Sequence, residues 1–238
     1  MKKKSTLAKL LSNEDINVVH KHMETAYFDS KKRELGLPIW KDEDMTKDIY
    51  DLMVCHEIGH ALWTPLDMLE KAALRKINHS FVNIIEDARI ERFVKEKYAG
   101  SIGCFNRGYN ELIAKDFFGT KGKKLSDFNL IDKINLFFKG NSDVTFSDEE
   151  NVWVEKAAKT ETPDEVLDLA EELYKWRKKT NPKLIIMILV KVMVHQNLIV
   201  KKEKVQMVNL IVGLMKLVIL VPVVMVTMAL LLNLVTPL

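Results

Sequence analysis

Two histidines and a glutamate carry the first chemistry that the chain offers, in the run His56-Glu57-Ile58-Gly59-His60. On a helix, residues i and i+4 stand one above the other, so both imidazoles can reach a single ion. Glu57 projects about a third of a turn away. There its carboxylate can serve as general base toward water that a zinc ion has acidified. Three fixed letters also arise by chance, so the surroundings decide. Ile49, Leu52 and Met53 lay an apolar stripe on the face that the histidines continue. Asp44 or Thr46 can cap the helix, and Pro65 ends it after Thr64. Gly59 lowers helix propensity, which fits a neighbouring element that approaches closely. The competing reading is a core or surface helix that merely spells the pattern.

Catalytic zinc requires a third protein ligand and an open position. The second acidic helical segment, Asn83-Ile84-Ile85-Glu86-Asp87-Ala88-Arg89-Ile90-Glu91, is the best source. Glu86 is the expected ligand, completing a set of His56, His60 and Glu86. Asp87 is its competitor: it shares a face with Ile84 and Glu91, and Asp87 with Glu91 can instead orient a ligand histidine. The bland alternative makes Glu86, Asp87, Arg89 and Glu91 a solvated face with helical ion pairs. His79 is a weaker ligand candidate, better read as a capping or loop residue before Ser80.

The run INVVHKHMETAYFDSKKRELGLPIWKD, followed by MTKDIYDLMVCHEIGHALWTPLD, resembles the metallopeptidase-like proteins of tailed phages. That family is also labelled CobT-type, after a cobalt-chelatase subunit. NIIEDARIERFVKEKYAG and FNRGYNELIAKDFFG are similar to it as well, so the resemblance covers residues 5–180. It implies a zincin-like, gluzincin-type domain in which His56 and His60 bind zinc and Glu57 is the catalytic acid and base. It also implies an acidic third ligand from the EDARIE block. Members typically continue through an acidic, low-complexity linker into a von Willebrand A-type domain, and CobT-type proteins are associated with AAA+ ATPase partners. No such A-type domain is expected within these 238 residues.

The elements that must position these groups are legible in outline. Three β-type runs, residues 16–20, 25–29 and 34–40, with the polar turn Ser30-Lys31-Lys32-Arg33, suggest a hairpin or meander, hence a small N-terminal antiparallel sheet. Pro38 ends the last strand or puts it on an edge. Residues 36–39 are then a candidate shelf for an extended peptide, with an ordinary strand as the alternative. A short helix is expected over residues 5–11. After the metal segments the chain reads as helical. One helix opens at Asn106 and ends at Gly119, and Tyr109 on it is an interior aromatic or an oxyanion donor. Residues 121–124 read as a solvated turn. Leu130, Ile131, Ile134, Leu136, Phe137 and Phe138 form a packing helix. Ser147 with Glu150, and Thr162 with Pro163 and Glu165, open two more.

Charge and cysteine usage narrow the classes. The 238 residues carry a net charge of +3, but residues 183–238 hold six Lys and one Glu, so residues 1–182 are slightly acidic. Nothing there favours a nucleic-acid partner. MKKK precedes no secretory apolar region, and Cys55 and Cys104 show no zinc-ribbon or redox spacing, so a reducing cytoplasmic setting is expected, the infected host's if the chain is phage-encoded.

Residues 183–238 contain no Phe, Tyr, Trp or Asp, and residues 217–238 carry no charge. Hydropathy reads that stretch as a membrane anchor. Against this, Pro222, Asn233 and Pro237 interrupt it and no aromatic residue marks an interface. Asp and Gly codons read one base later yield Met and Val, so a frameshifted acidic linker is the favoured explanation. The expectation is an α+β protein: a zincin-like metallopeptidase domain over residues 1–182 and a hydrophobic tail over 183–238. It would bind Zn2+ and hydrolyse peptide bonds in a protein or peptide substrate. The alternative is a non-proteolytic zinc adaptor that partners an AAA+ ATPase.

Overall fold

Alternating side chains produce three short strands, β1 (Asn17–Lys21), β2 (Tyr27–Asp29) and β3 (Glu34–Pro38). In the computed structural model, which describes Ala8, residues 15–41 and residues 43–180, they form one sheet in the order β1-β3-β2. The expected antiparallel meander is corrected to a mixed sheet, because β1 runs parallel to β3 and only β2 pairs antiparallel with it. Burial explains the order. Leu35 and Leu37 are fully buried, so β3 takes the centre, while β1, with exposed ends, and the brief β2 take the edges. Residues 22–26 must therefore cross about 10 Å, two strand spacings, to bring β2 to the far side.

Tyr27 stands opposite Gly36, and a Cβ there would lie 2.2 Å from the tyrosine ring, so glycine lets the ring lie over the strand. β3 is paired with β1 along its whole length but with β2 only over Glu34, Leu35 and Gly36, so of the candidate peptide shelf Gly36 is covered on both sides and Leu37 and Pro38 on one. β2 is the edge strand that borders the metal site. Asp29 Oδ1 accepts from the amides of Lys31 and Lys32, closing the turn. Arg33 follows at φ +50 and donates to Ala61 O at 3.2 Å, tying the hairpin to the end of the metal-site helix.

That helix, α1 (Lys47–Trp63), starts where Thr46 Oγ1 accepts from Ile49 N and stops at Thr64, before Pro65. The short α2 (Met68–Leu74) leads to α3 (His79–Lys97), capped by Asn78. Next come α4 (Ile102–Ala114), α5 (Leu130–Phe138), α6 (Asp148–Ala158) and α7 (Pro163–Thr180). Residues 15–41 and 43–180 thus make an α+β arrangement of seven helices and one three-stranded sheet. α4 opens at Ile102 instead of Asn106, because Cys104 and Phe105 give its first turn buried side chains. It also ends before Gly119, at a turn through Asp116 (φ +56). Ser147 and Glu150 form a reciprocal capping box on α6, and Thr162 and Glu165 do the same on α7, behind Pro163.

Two apolar cores result. One joins the sheet to α1 and α4 around Leu35, Ile49 and Phe105; the other joins α2, α5, α6 and α7 around Phe81, Ile134 and Leu167. α3 serves both, with Phe81, Val82 and Ile85 in the second core and Val94 in the first. Its acidic middle therefore lies at the seam. Apart from Ala8, which is helical and buried, the helix expected over residues 5–11 lies outside the described residues, as do the boundary after Pro182 and the tail. No helix among the described residues is long and apolar enough to cross a membrane.

Candidate metal centre

Gly59 sets the height at which α3 meets α1. A Cβ there would lie 2.7 Å from Ile90 Cδ1 and 3.1 Å from Val94 Cγ2, so glycine permits the close crossing. With Ile90 and Val94 against Gly59, Asp87 and Glu91 come level with His60 and His56. His56, His60 and Asp87 each offer a ligand atom within 4.8 Å of the others. Asp87 Oδ1 lies 3.3 Å from His60 Nε2 and 3.7 Å from His56 Nε2. Ligands held tetrahedrally at roughly 2.0–2.2 Å stand about 3.3–3.6 Å apart. The two Asp87 distances lie at or just beyond that range, so with little adjustment the three residues can hold one ion.

The outer contacts leave the correct nitrogens free. His56 Nδ1 is 3.0 Å from Glu91 Oε1, which fixes a proton on Nδ1 and leaves the Nε2 lone pair toward Asp87. His60 Nδ1 is 2.9 Å from Thr64 Oγ1, and Thr64 in turn donates to Glu86 Oε1 at 2.5 Å. The hydroxyl proton being committed to Glu86, His60 donates from Nδ1, and in its neutral form, the one that binds a metal, its Nε2 lone pair faces Asp87. Asp87 Oδ2 accepts from Lys139 Nζ at 3.3 Å and Asn83 Nδ2 at 3.4 Å. Oδ1 is buried and takes no hydrogen bond from any group except, when His60 is protonated, its Nε2 at 3.3 Å. An unpartnered buried carboxylate oxygen costs free energy in proportion to its lost solvation. Here it points at two imidazole nitrogens.

Charge tells the same story. Glu57, Glu86, Asp87 and Glu91 are buried around the seam together with the cations Arg89 and Lys139, while Lys133, also buried, pairs with Glu150 instead. Glu86 is balanced by Arg89, while Lys139 alone faces both Asp87 and Glu91, so the cluster holds an unmatched carboxylate that a histidine or a bound cation must balance. Burial pushes the Glu57 carboxyl up, and the two nearby histidines only partly offset this. Burial also opposes ionisation of Glu91, but Lys139 and His56 outweigh it and bring the group down to about 2. Burial is likewise outweighed at Asp87, first by Lys139 and then by the histidines, so this carboxylate stays ionised. At His60 desolvation is overcome by Asp87, and the imidazole is raised above its ordinary value.

Glu86, the expected third ligand, is placed elsewhere. Its carboxylate forms a buried two-point pair with Arg89, at 2.8 Å to Nε and 2.6 Å to Nη2. Arg89 also donates to Trp63 O and Glu161 O. Asp87 is the acidic group brought to the histidines, and the reading of this segment as a solvated face is corrected, since all four charged residues are buried. Adjacent positions on a helix differ by about 100°, which separates the two carboxylates. Glu57 lines the same cavity as the cluster. His79, the first residue of α3, is exposed at the rim of that cavity and is not one of the clustered ligands. Tyr109 is buried; its hydroxyl donates to Glu91 and accepts from Lys139 Nζ at 3.0 Å, so it braces the outer contacts.

Thr64 and Lys139 were not singled out from the sequence as parts of the site. Thr64 carries a faint signal, since it stands four residues after His60 and so shares its face. Lys139 carries none: it follows Phe138 at the end of an apolar helix and reaches the seam only through the fold. Cys55 and Cys104 are free, buried and 3.9 Å apart between α1 and α4, where they pack. No protein-family model, curated protein or solved structure matches the chain.

Proposed function

We propose that this protein is a zinc-dependent peptide hydrolase of the zincin type. The observation that carries the reading is the cluster of His56, His60 and Asp87, in which the buried Asp87 Oδ1 faces the Nε2 atoms of both histidines at 3.7 and 3.3 Å. Two imidazoles and one carboxylate, with the neighbouring base left outside the ligand set, is the donor pattern of catalytic zinc. When bound, zinc supplies a Lewis acid that polarises a carbonyl and acidifies water. The chain's own residues do the rest. Glu57, in the wall of the same cavity, accepts a proton from the attacking water and returns it to the leaving amine. Its raised affinity for protons suits that exchange. Glu91 and the Thr64–Glu86 pair hold the imidazoles in register. β2 lies along the cavity as an edge strand, against which an extended peptide can align.

The test is metal analysis of the purified chain beside His60→Ala and Asp87→Ala, together with peptide hydrolysis by wild type and Glu57→Gln. The reading requires about one zinc per chain in wild type, loss of zinc in both ligand variants, and zinc retention without turnover in Glu57→Gln. Zinc with no hydrolysis across a peptide library would leave the adaptor alternative. Absence of zinc from the wild type would remove both.

A further inference from the structure

The cavity above the clustered histidines has a volume of about 550 Å³ and is lined in two chemically distinct parts. Its inner part holds the metal-site groups. Beside them, Thr25, Ser30 and Asn83 give the lining polar points on one hand, and an apolar group is formed on the other by Met68, Phe118, Leu66, Leu69 and Phe117. Among the described residues that line it, no charged side chain lies outside the metal-site groups and His79 at the rim. The last three named residues are also unusually exposed: Leu66 is 62 % accessible, Leu69 55 % and Phe117 42 %.

Local structure explains why they are not folded away. α2 turns Met68 and Ala72 inward, so Leu69, one position on, must face out toward the opening. Leu66 sits between Pro65 and α2, in the turn that ends α1. Phe117 comes from the other side of the mouth, where it contacts Phe118 at 5.4 Å between ring centroids. Apolar side chains left in water around a concave opening mark a place where an apolar group is to be buried.

We infer that this mouth is a selectivity pocket for a bulky apolar side chain, of the leucine, methionine or phenylalanine class, next to the peptide group presented to the metal. The inference rests on the zinc-site reading above. It goes further in naming which peptides the site takes and which residues choose them. A small side chain would leave the Leu66, Leu69 and Phe117 surfaces wet, and a charged one would be desolvated against them with no counter-ion.

Calorimetry on the zinc-loaded full chain tests this without turnover, using two peptide hydroxamates that differ only in carrying a leucine or a glycine side chain. The leucine form should bind at least about tenfold more tightly, from burial of one aliphatic side chain. Leu69→Asp, a change at an exposed position, should cut that preference to about threefold or less while leaving glycine-hydroxamate affinity and zinc content unchanged. Phe117→Ala should reduce the preference in the same direction. Equal affinity of the two probes in wild type overturns the inference, as does a preference that survives Leu69→Asp, or failure of the leucine probe to bind. Peptide cleavage without the leucine preference would sink this inference and leave the hydrolase reading standing. The preference without any peptide cleavage would do the reverse.

Discussion

On one edge of α3, Asp87 and Glu91 meet two histidines; on the other, Glu86 meets Arg89. The carboxylates are equally buried and two of them are neighbours in sequence, yet their surroundings assign them different work. Glu86 accepts three hydrogen bonds, two from a fixed cation in two-point geometry and one from Thr64, so its charge is already matched before any ion arrives. Asp87 is filled on one oxygen only. Burial alone therefore does not mark a ligand; an unfilled oxygen within a buried, net-negative cluster does.

The sharpest way to break this comparison is to remove each carboxylate in turn. Asp87→Ala should abolish tight zinc binding, by more than the roughly 100-fold that an outer residue commands. Its metal-free fold should persist, because Lys139 keeps Glu91 at 2.9 Å. Glu86→Ala should act mainly on folding. It leaves the Arg89 guanidinium buried with two backbone carbonyls, at a cost of about 3–5 kcal/mol. Competitive zinc titration and denaturant unfolding of the metal-free proteins separate the two outcomes. If Glu86→Ala loses zinc at unchanged stability, the assignment of the two edges is reversed.

A smaller effect is expected one turn further on. Glu91→Gln keeps the shape of the side chain but weakens its hold on His56 Nδ1 and leaves Lys139 with less counter-charge. Zinc affinity should fall about 10- to 100-fold, with the larger share in faster metal loss to a chelator. An unchanged affinity would mean that the contact of His56 with Glu91 does no orienting.

Much of this was legible in the sequence, and the limits of what was legible are physical. HExxH on an apolar-striped helix, its Thr46 cap and its stop before Pro65 all follow from local spacing, as do the boxes at Ser147 and Thr162. The tight crossing at Gly59 was expected because glycine in a helix needs a reason, and Ile90 supplies it. The choice between Glu86 and Asp87 could not be made locally. It depends on which way α3 is rolled, and that is set by Ile90 and Val94 packing on Gly59 and by Arg89 reaching Trp63 O. The sheet order was hidden for the same reason: period-two alternation finds strands but does not say which one is central. Lys139 arrives from α5, far along the chain, and no short-range pattern announces it.

Thr64→Val tests the weaker of the two histidine supports. His56 leans on a carboxylate directly, whereas His60 reaches Glu86 only through the Thr64 hydroxyl. Valine keeps the shape and removes the relay, leaving His60 Nδ1 without its acceptor. The loss in zinc affinity should be about tenfold or less, at the low end for an outer residue and below that of Glu91→Gln. The opposite ranking in parallel titrations would make the hydroxyl relay the stronger support.

Gly59→Ala should have the least effect on the metal, because its first clash is with the end of the Ile90 side chain and it removes neither histidine support. A methyl group 2.7 Å from Ile90 Cδ1 is too close, and relief comes from rotating that side chain or from moving α3 outward. Overpacking of this kind costs about 1–3 kcal/mol, while replacing glycine inside a helix returns about 1 kcal/mol. The net expectation is a destabilisation of up to about 2 kcal/mol, read as a lower midpoint in denaturant. If Ile90 rotates, Asp87 keeps its place and zinc affinity changes little. If α3 moves, His56 and His60 both draw away from Asp87, and affinity and stability fall together. Adding Ile90→Val to make room then decides between the two: recovery of stability and zinc binding in the double variant places the strain at Ile90, and recovery of neither excludes it.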